Sequence, residues 1–520
     1  MAPLSTLHRQ AQNALNAKDY QQAHQHLMAI LKQDKNFADA YFLLAMLASD
    51  HHNNLQAIEL ILTADTLTPN NPEYLGQLAR LYILENQHPK AVHYANIART
   101  QAIASASVLD SLGVVYSKLG RHIDALPLFE QAIAINDSDP QYHYHYGASL
   151  KFCGQFAEAR AAHEQAISLA PDHVKAHSAL SSLGNINGKN NHIVRLIAQF
   201  QRAQQVDDRL HLGHALAREY EALADFDTAF SFLNQVKQDK LKTLNYSIEQ
   251  EISLFSELTT VFTDPSYTFS QGSESDEPIF IVGMPRTGTT LVERIISAHS
   301  DVSTAGELQH FGMLVKQLSQ TQTNRVIDQQ TVAAAVNINM ATLGDAYVAS
   351  TRAQTGTHRH FIDKMPLNVL YAGFIAKALP NAKIVCLDRN PLDTIVSNFR
   401  QLFSVNFSYY NYAYDLATCS QYYDLFRELV STWQQTLGDN FYVINYEALV
   451  NSPETQAKKL IDFCGLEWQD SCLSIDKNAA PVATASALQV RQPISNKSVG
   501  NWKKYQQHLS KIIDKYPQNH

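Results

Sequence analysis

With 520 residues, 41 Lys and Arg against 49 Asp and Glu, and a net charge of −8, the chain is too long for one core and lacks the basic excess that nucleic acid or an anionic membrane would draw on. Its five cysteines, Cys153, Cys386, Cys419, Cys464 and Cys472, are scattered without a CxxC pair, which argues against a disulfide framework or zinc site and for a reducing compartment. No apolar run has the length of a membrane span or signal-peptide core, so a cytoplasmic protein is expected.

Up to about residue 175 the small residues repeat. Ala23, Ala57, Ala91, Ala125 and Ala159 stand 34 residues apart, as do Ala64, Ala98, Ala132 and Ala166, while Ala11, Ala45, Ala79, Gly113 and Gly147 form a third ladder. Paired helices need small residues where they cross, so this period predicts a tetratricopeptide repeat (TPR) α-solenoid. Turns are expected at Gly120, Gly154 and the run Ala170, Pro171, Asp172. Helical patterns at 193–203, 212–223 and 228–236 are expected to cap the solenoid, which then occupies residues 1–240. Its concave surface is expected to receive a protein or peptide ligand. The run Tyr142, His143, Tyr144, His145, Tyr146 puts its histidines on different helix faces and predicts an ordinary helix end, not a metal site. His51 and His52, beside Asn53 and Asn54, predict an inter-helix turn.

Residues 241–277 read as a linker, ending in the polar, acidic SQGSESDEP, and a second domain is expected over 278–520. There, strand patterns at 279–282, 360–363, 383–387 and 441–445 alternate with helical patterns, with a further short segment at 302–305. Such alternation predicts a parallel sheet covered by helices on both faces, so the fold class is α plus α/β. Ligands in such sheets bind beyond the carboxyl ends of the strands.

The first strand runs into PIFIVGMPRTGTTL, residues 278–291. Gly283, four residues, Gly288, then Thr289 and Thr290 is P-loop spacing, with Thr289 where a nucleotide triphosphatase has its lysine. A strand, a glycine turn and a helix N-terminus make an anion cradle. Without the lysine the loop is poorly equipped for β- and γ-phosphates and Mg²⁺, but Arg286 adds a forked cation, so one short terminal anion is expected there. After the strand at 383–387, Arg389 and, two helical turns on, Ser397 can grip a second anion; alternatively Arg389 is an ion pair for Asp393 and Ser397 a surface hydroxyl. Two anion sites on neighbouring strand ends imply a ligand phosphorylated at two places.

PRTGTTL and LDRNPLDTIVSNF resemble the two phosphate-binding motifs of sulfotransferases that use 3′-phosphoadenosine 5′-phosphosulfate (PAPS). Within them, the chain looks most like the tyrosylprotein sulfotransferases and the bacterial TPR-containing sulfotransferases. The likeness covers about 278–502, and the bacterial group shares the solenoid. It implies that Arg286, Thr287, Gly288, Thr289 and Thr290 hold the 5′-phosphosulfate, and Arg389 and Ser397 the 3′-phosphate, with Tyr446 near the nucleotide. It further implies that Glu307 is the general base, that Lys364 in DKMP stabilises the transition state, and that Ser486 belongs to a C-terminal segment closing over the cofactor through Trp502. Asn501 stands where the family has a lysine, with Lys503 or Lys504 as substitutes, and Asn390 follows the second-motif arginine where an acid is common.

Sulfuryl transfer to a hydroxyl needs in-line positioning and cations at the bridging oxygen, for which Lys364 and Arg286 are candidates, with Ser486 as a further donor. It also needs a base. Glu307 is one candidate, alternatively a first-turn acid on a helix at 308–318, with His299 and His310 as rivals. No metal-ligand cluster is visible, and a metal-independent reaction is expected. The competing functions are a P-loop-type nucleotide kinase or NTPase and a TPR adaptor with an inactive nucleotide-binding domain. The acceptor is open among protein tyrosine, small phenols, carbohydrates and lipids.

Overall fold

Small residues decide how closely helices approach in the N-terminal part of the computed structural model, which describes residues 2–355, 358–405, 407–475 and 493–517. The chain divides into two compact units, Met1–Cys153 and Gly154–His520.

In the first unit, α1 (Leu4–Asn16) packs on α2 (Tyr20–Gln33), α3 (Ala38–Asp50) on α4 (Asn54–Leu67), α5 (Pro72–Leu84) on α6 (His88–Arg99) and α7 (Ala106–Lys118) on α8 (His122–Ile135), followed by α9 (Pro140–Cys153). The ladder residues Ala11, Ala45, Ala79, Ala23, Ala57 and Ala91 are completely buried. Where one ladder changes to Gly113, a Cβ would stand 2.5 Å from Cε1 of Phe129, so this crossing admits no side chain at all. A second period runs through the turns: Lys18, His52, Asn86, Gly120 and Gly154 all have positive φ, each 34 residues after the last. Asp19 and Asn53 follow two of these residues and cap the next helix. His143 and His145 have local partners, the Asp137 carbonyl at 2.9 Å and the Asp110 carboxylate at 2.9 Å.

The second unit opens with α10 (Phe156–Leu169), α11 (Val174–Ser181), α12 (Ile193–Arg202), α13 (Val206–Ala222) and α14 (Phe226–Leu241). These precede residue 240, yet α13 and α14 pack against the sheet domain. Lys237 of α14, 1% exposed, donates to the carbonyls of Gln401 at 3.2 Å and Ala413 at 2.8 Å. The stretch read as linker holds α15 (Ile248–Thr263), whose Leu254, Phe255, Leu258 and Val261 are buried in the sheet domain's core. Their spacing is a helical stripe, and it becomes stable only when neighbouring helices cover it.

Among the described residues the sheet has five parallel strands, β1 (Pro278–Gly283), β2 (Val302–Thr304), β3 (His360–Asp363), β4 (Lys383–Asp388) and β5 (Phe441–Asn445), in the order β2-β3-β1-β4-β5. Both faces are covered, because β1 sends Phe280 and Val282 into one core and Ile279 and Ile281 into another. The remaining helices are α16 (Thr289–Ser297), α17 (His310–Ser319), α18 (Gln329–Ala335), α19 (Met340–Thr355), α20 (Ala372–Ala378), α21 (Pro391–Arg400), α22 (Leu416–Thr436), α23 (Tyr446–Asn451) and α24 (Pro453–Phe463). From central β1 the chain goes first to β2 and β3 on one side, then to β4 and β5 on the other. The ends of β1 and β4 therefore flank the switch point where a parallel sheet opens a crevice.

Candidate functional site

The loop after β1 is shaped by three residues with positive φ: Gly283 at 142°, Arg286 at 65° and Gly288 at 111°. Arginine rarely adopts that conformation, so the loop holds Arg286 at a cost in backbone strain. Thr287 Oγ1 closes the turn by donating to the Met284 carbonyl at 2.7 Å, and Asn398 Nδ2 braces it through the Pro285 carbonyl at 2.8 Å. Gly288 caps α16, whose first turn carries the buried Thr289 and Thr290. Burial, then the charges of Arg400 and Arg389, pull the Arg286 guanidinium down to about 10. A cation so crowded by cations is stabilised by an incoming anion.

Arg389, at the end of β4, reaches this loop. Its Nη1 donates to the Arg286 carbonyl at 2.9 Å, its Nη2 to the Ser498 carbonyl at 2.6 Å, and its guanidinium lies 4.4 Å from the centre of the Tyr446 ring. Asp393 is 3.9 Å away, at salt-bridge distance only. The Arg389 side chain is 8% exposed and its Nε has no hydrogen-bond partner among the described residues. A buried donor left unmatched costs about 1–3 kcal/mol, and an anion would satisfy it. Tyr446 also lies flush on the loop: a Cβ at Gly288 would come 2.5 Å from its Cδ2. Arg286, Gly288, Arg389 and Tyr446 thus lie together, and the unmatched Arg389 N–H beside the β1 loop suits a phosphate-like anion. Ser397 is half-buried on α21, spaced i, i+4 from Asp393 and so on the same helix face.

A second cluster forms where β3 ends. The Lys364 N–H donates to the Gly306 carbonyl at 2.9 Å and the Leu308 N–H to Asp363 Oδ1 at 3.3 Å, which sets the Glu307 loop against β3. Lys364, its side chain 1% exposed, donates from Nζ to Glu307 Oε1 and stands 3.9 Å from Glu293 Oε2. Burial alone would favour the neutral amine, but Glu307 and Glu293 outweigh it and raise the lysine above its ordinary value. Glu293 lies one turn along α16 from Thr289 and accepts from Thr304 Oγ1 at 2.6 Å. Burial pushes Asp363 up to about 7 against the hydrogen bonds of Tyr347 at 2.8 Å, the Leu308 N–H, and Asn368 at 3.1 Å.

Glu307 does not open a helix. α17 begins at His310 with Gln309 at its N-cap, and the Glu307 carboxylate, 43% exposed, faces Lys364 instead. His299 accepts from the Asp301 N–H at Nδ1, 3.1 Å, so its Nε2 must carry the proton it donates to the Glu467 carbonyl at 2.9 Å. Both ring nitrogens being engaged, it is a structural histidine. His310 is buried and meets Ser350 Oγ at 3.4 Å. Ser486 lies outside the described residues. Asn501 donates to the Lys497 carbonyl at 3.3 Å, and Lys503 and Lys504 are exposed. Glu293 was not singled out in the sequence, although it stands four residues, one helical turn, from Thr289, while Asp393 was named there only as an ion-pair partner of Arg389.

Residues 278–470 match the sulfotransferase family model, and residues 105–136 and 140–173 match tetratricopeptide repeat models. A protein of Aquifex aeolicus (strain VF5), named as uncharacterized, is 31% identical over 312 residues, 59% of this chain and 41% of its own length. A protein-tyrosine sulfotransferase of Drosophila melanogaster is 24% identical, covering 43% of this chain and 46% of that protein. For protein-tyrosine sulfotransferase A of Caenorhabditis elegans the values are 25%, 42% and 56%. The chain spans about half the length of these curated relatives. Among solved structures, the sulfotransferase domain from the Synechococcus PCC 7002 olefin synthase aligns with a TM-score of 0.32 and 18% identity, covering 46% of this chain and 90% of that one.

Proposed function

We propose that this chain, in which a sulfotransferase-family domain follows tetratricopeptide repeats, moves a sulfuryl group from PAPS to an acceptor hydroxyl, with a protein tyrosine as the acceptor. The observation that carries the proposal is Arg389: one guanidinium binds the backbone of the β1 loop and keeps a buried N–H unmatched in the same crevice. Two anion sites joined through one side chain suit a nucleotide with phosphates at two positions. The tyrosine acceptor rests on the names of the two animal relatives.

In this assignment Arg286, Thr287, Gly288, Thr289 and Thr290 hold the 5′-phosphosulfate, Arg389 and Ser397 the 3′-phosphate, and Tyr446 walls the nucleotide. The donor supplies an SO₃ group whose bond to the phosphate oxygen breaks as a bond to the acceptor oxygen forms. Lys364, with its raised pKa, keeps its proton throughout and acts as a fixed positive charge beside the transfer path. Glu307 holds Lys364 on one side and, being partly exposed, meets the acceptor hydroxyl and takes its proton. Ser486 retains its expected role as a further donor.

The first unit supports a protein or peptide ligand. A groove of about 310 Å³ opens along α1, α3, α5 and α7, lined by the apolar Phe42, Met46 and Val108 together with the polar Asp50, Glu73 and Gln77. No helix among the described residues is long and apolar enough to cross a membrane. The assignment to the cytoplasm rests on the five free cysteines, which suit a reducing compartment.

Incubating the purified chain with PAPS labelled in sulfur and a cell lysate tests the function. Label entering protein, released by mild acid as expected of a tyrosine sulfate, is the predicted result. Turnover of ATP without PAPS-dependent labelling would replace it with a kinase or NTPase.

A further inference from the structure

The segment after residue 493 lies across the donor crevice, and what holds it there comes partly from outside the family-matched region. On its near side it is tied by the β4 end: Arg389 Nη2 binds the Ser498 carbonyl, and the buried carboxylate of Asp393 accepts the Gly500 N–H at 2.7 Å and the Trp502 N–H at 3.0 Å. On its far side the helical turn Asn501–His508 rests on α13 and α14. Tyr505 donates its hydroxyl to Glu221, His508 stacks on Phe230 with ring centres 4.1 Å apart, and His508 Nε2 reaches Asp227 Oδ1 at 2.8 Å.

Glu221 is the centre of this second anchor. Its carboxylate takes a two-pronged bond from Arg400, the last residue of α21, with Nε at 2.7 Å and Nη2 alongside, while also accepting from Tyr505. Burial raises the Glu221 carboxyl, but Arg400, Tyr505 and Arg218 outweigh it and hold it below the ordinary range, so it stays ionised. Arg400 is also one of the two cations that depress Arg286. The fork of Arg400 is therefore turned to a carboxylate from α13 while its charge sits beside the anion loop.

We propose that Glu221 is a positioning residue of the donor site: by pinning Arg400 and Tyr505 together it holds segment 498–505 on Arg389 and keeps Arg400 from taking the place of Arg286 on the anion. Helices α13 and α14 are then part of the donor site and not merely the end of a repeat array. The inference rests on the donor assignment above.

Two variants test it, with 3′-phosphoadenosine 5′-phosphate (PAP) and 5′-AMP as probes. Glu221→Gln keeps the shape and removes the charge that fixes Arg400; Tyr505→Phe removes only the hydroxyl that segment 498–505 donates to Glu221. Loss of a partly buried charge-assisted hydrogen bond predicts PAP binding weakened about tenfold for Glu221→Gln and about threefold for Tyr505→Phe, by titration calorimetry. The ratio of PAP to 5′-AMP affinity should fall in both, which general loosening of the fold would not produce, and Glu221→Asp should recover part of it. Without any ligand, hydrogen exchange at the Gly500 and Trp502 amides should quicken in both variants. Folded variants that bind PAP with wild-type affinity and selectivity would overturn the inference and leave the donor assignment standing. Wild-type protein that does not bind PAP would overturn both.

Discussion

Arg389 and Arg286, 103 residues apart, are joined by a 2.9 Å hydrogen bond from the side chain of the first to the backbone of the second. The bond crosses from the end of β4 to the loop after β1, so the two anion grips proposed above are coupled through one side chain. Lysine would keep the charge but gathers its donors on one nitrogen, so it loses the planar fork that reaches the Arg286 and Ser498 carbonyls from Nη1 and Nη2 and still leaves an Nε–H. Arg389→Lys should therefore weaken PAP binding by about tenfold to a hundredfold and 5′-AMP binding by less, as read by calorimetry.

Gly288 is required for two reasons that act together. Its φ of 111° is one that side chains rarely adopt, and Tyr446 occupies the space a Cβ would need. Gly288→Ala should lower the melting temperature and also abolish detectable PAP binding. Gly465→Ala, at φ 72° with open space around it, carries the strain without the clash and should melt a few degrees lower, about 1 kcal/mol, with donor binding intact.

Lys364 and Glu307 should separate chemistry from binding. Lys364→Met removes a buried cation beside the transfer path and leaves Glu293 without it, so single-turnover transfer should fall about 10²-fold or more. Glu307→Gln keeps the outline of the carboxylate but cannot accept the proton, and should also lose about 10²-fold or more in rate with PAP affinity within about twofold of wild type. An unchanged rate in Glu307→Gln would place the base elsewhere.

The solenoid should weaken in mild acid at one identifiable place. His122 is 3% exposed, and burial lowers its imidazole to about 4. Unfolded chain takes up the proton below about pH 6.5, whereas folded chain resists until about pH 4, so stability falls as pH drops through that window. Hydrogen exchange of α8 and α9 amides should show protection decreasing between pH 6.5 and 4.5, after correction for intrinsic rates. His122→Gln, which does not titrate, should flatten that dependence.

The 34-residue ladders and the strand, glycine turn and helix order were legible because each depends on near neighbours: a helix crossing demands a small residue, and a tight turn before a helix demands glycine. The same local logic marked Arg286, Arg389 and Lys364 as polar residues at strand ends, whereas Glu307 was reached through the resemblance to a known family. What neighbours in sequence could not say is which of these meet. Whether Glu307 starts a helix or faces Lys364 was decided by β2 lying beside β3. That residues 248–263 form a helix depended on α18 and α22, and that α13 reaches Arg400 and the C-terminal segment depended on α21, all surfaces remote in the chain. Periodicity and turn chemistry are properties of a short stretch of chain; the pairing of buried charges is a property of the packing, because a carboxylate takes whichever cation the fold brings within reach.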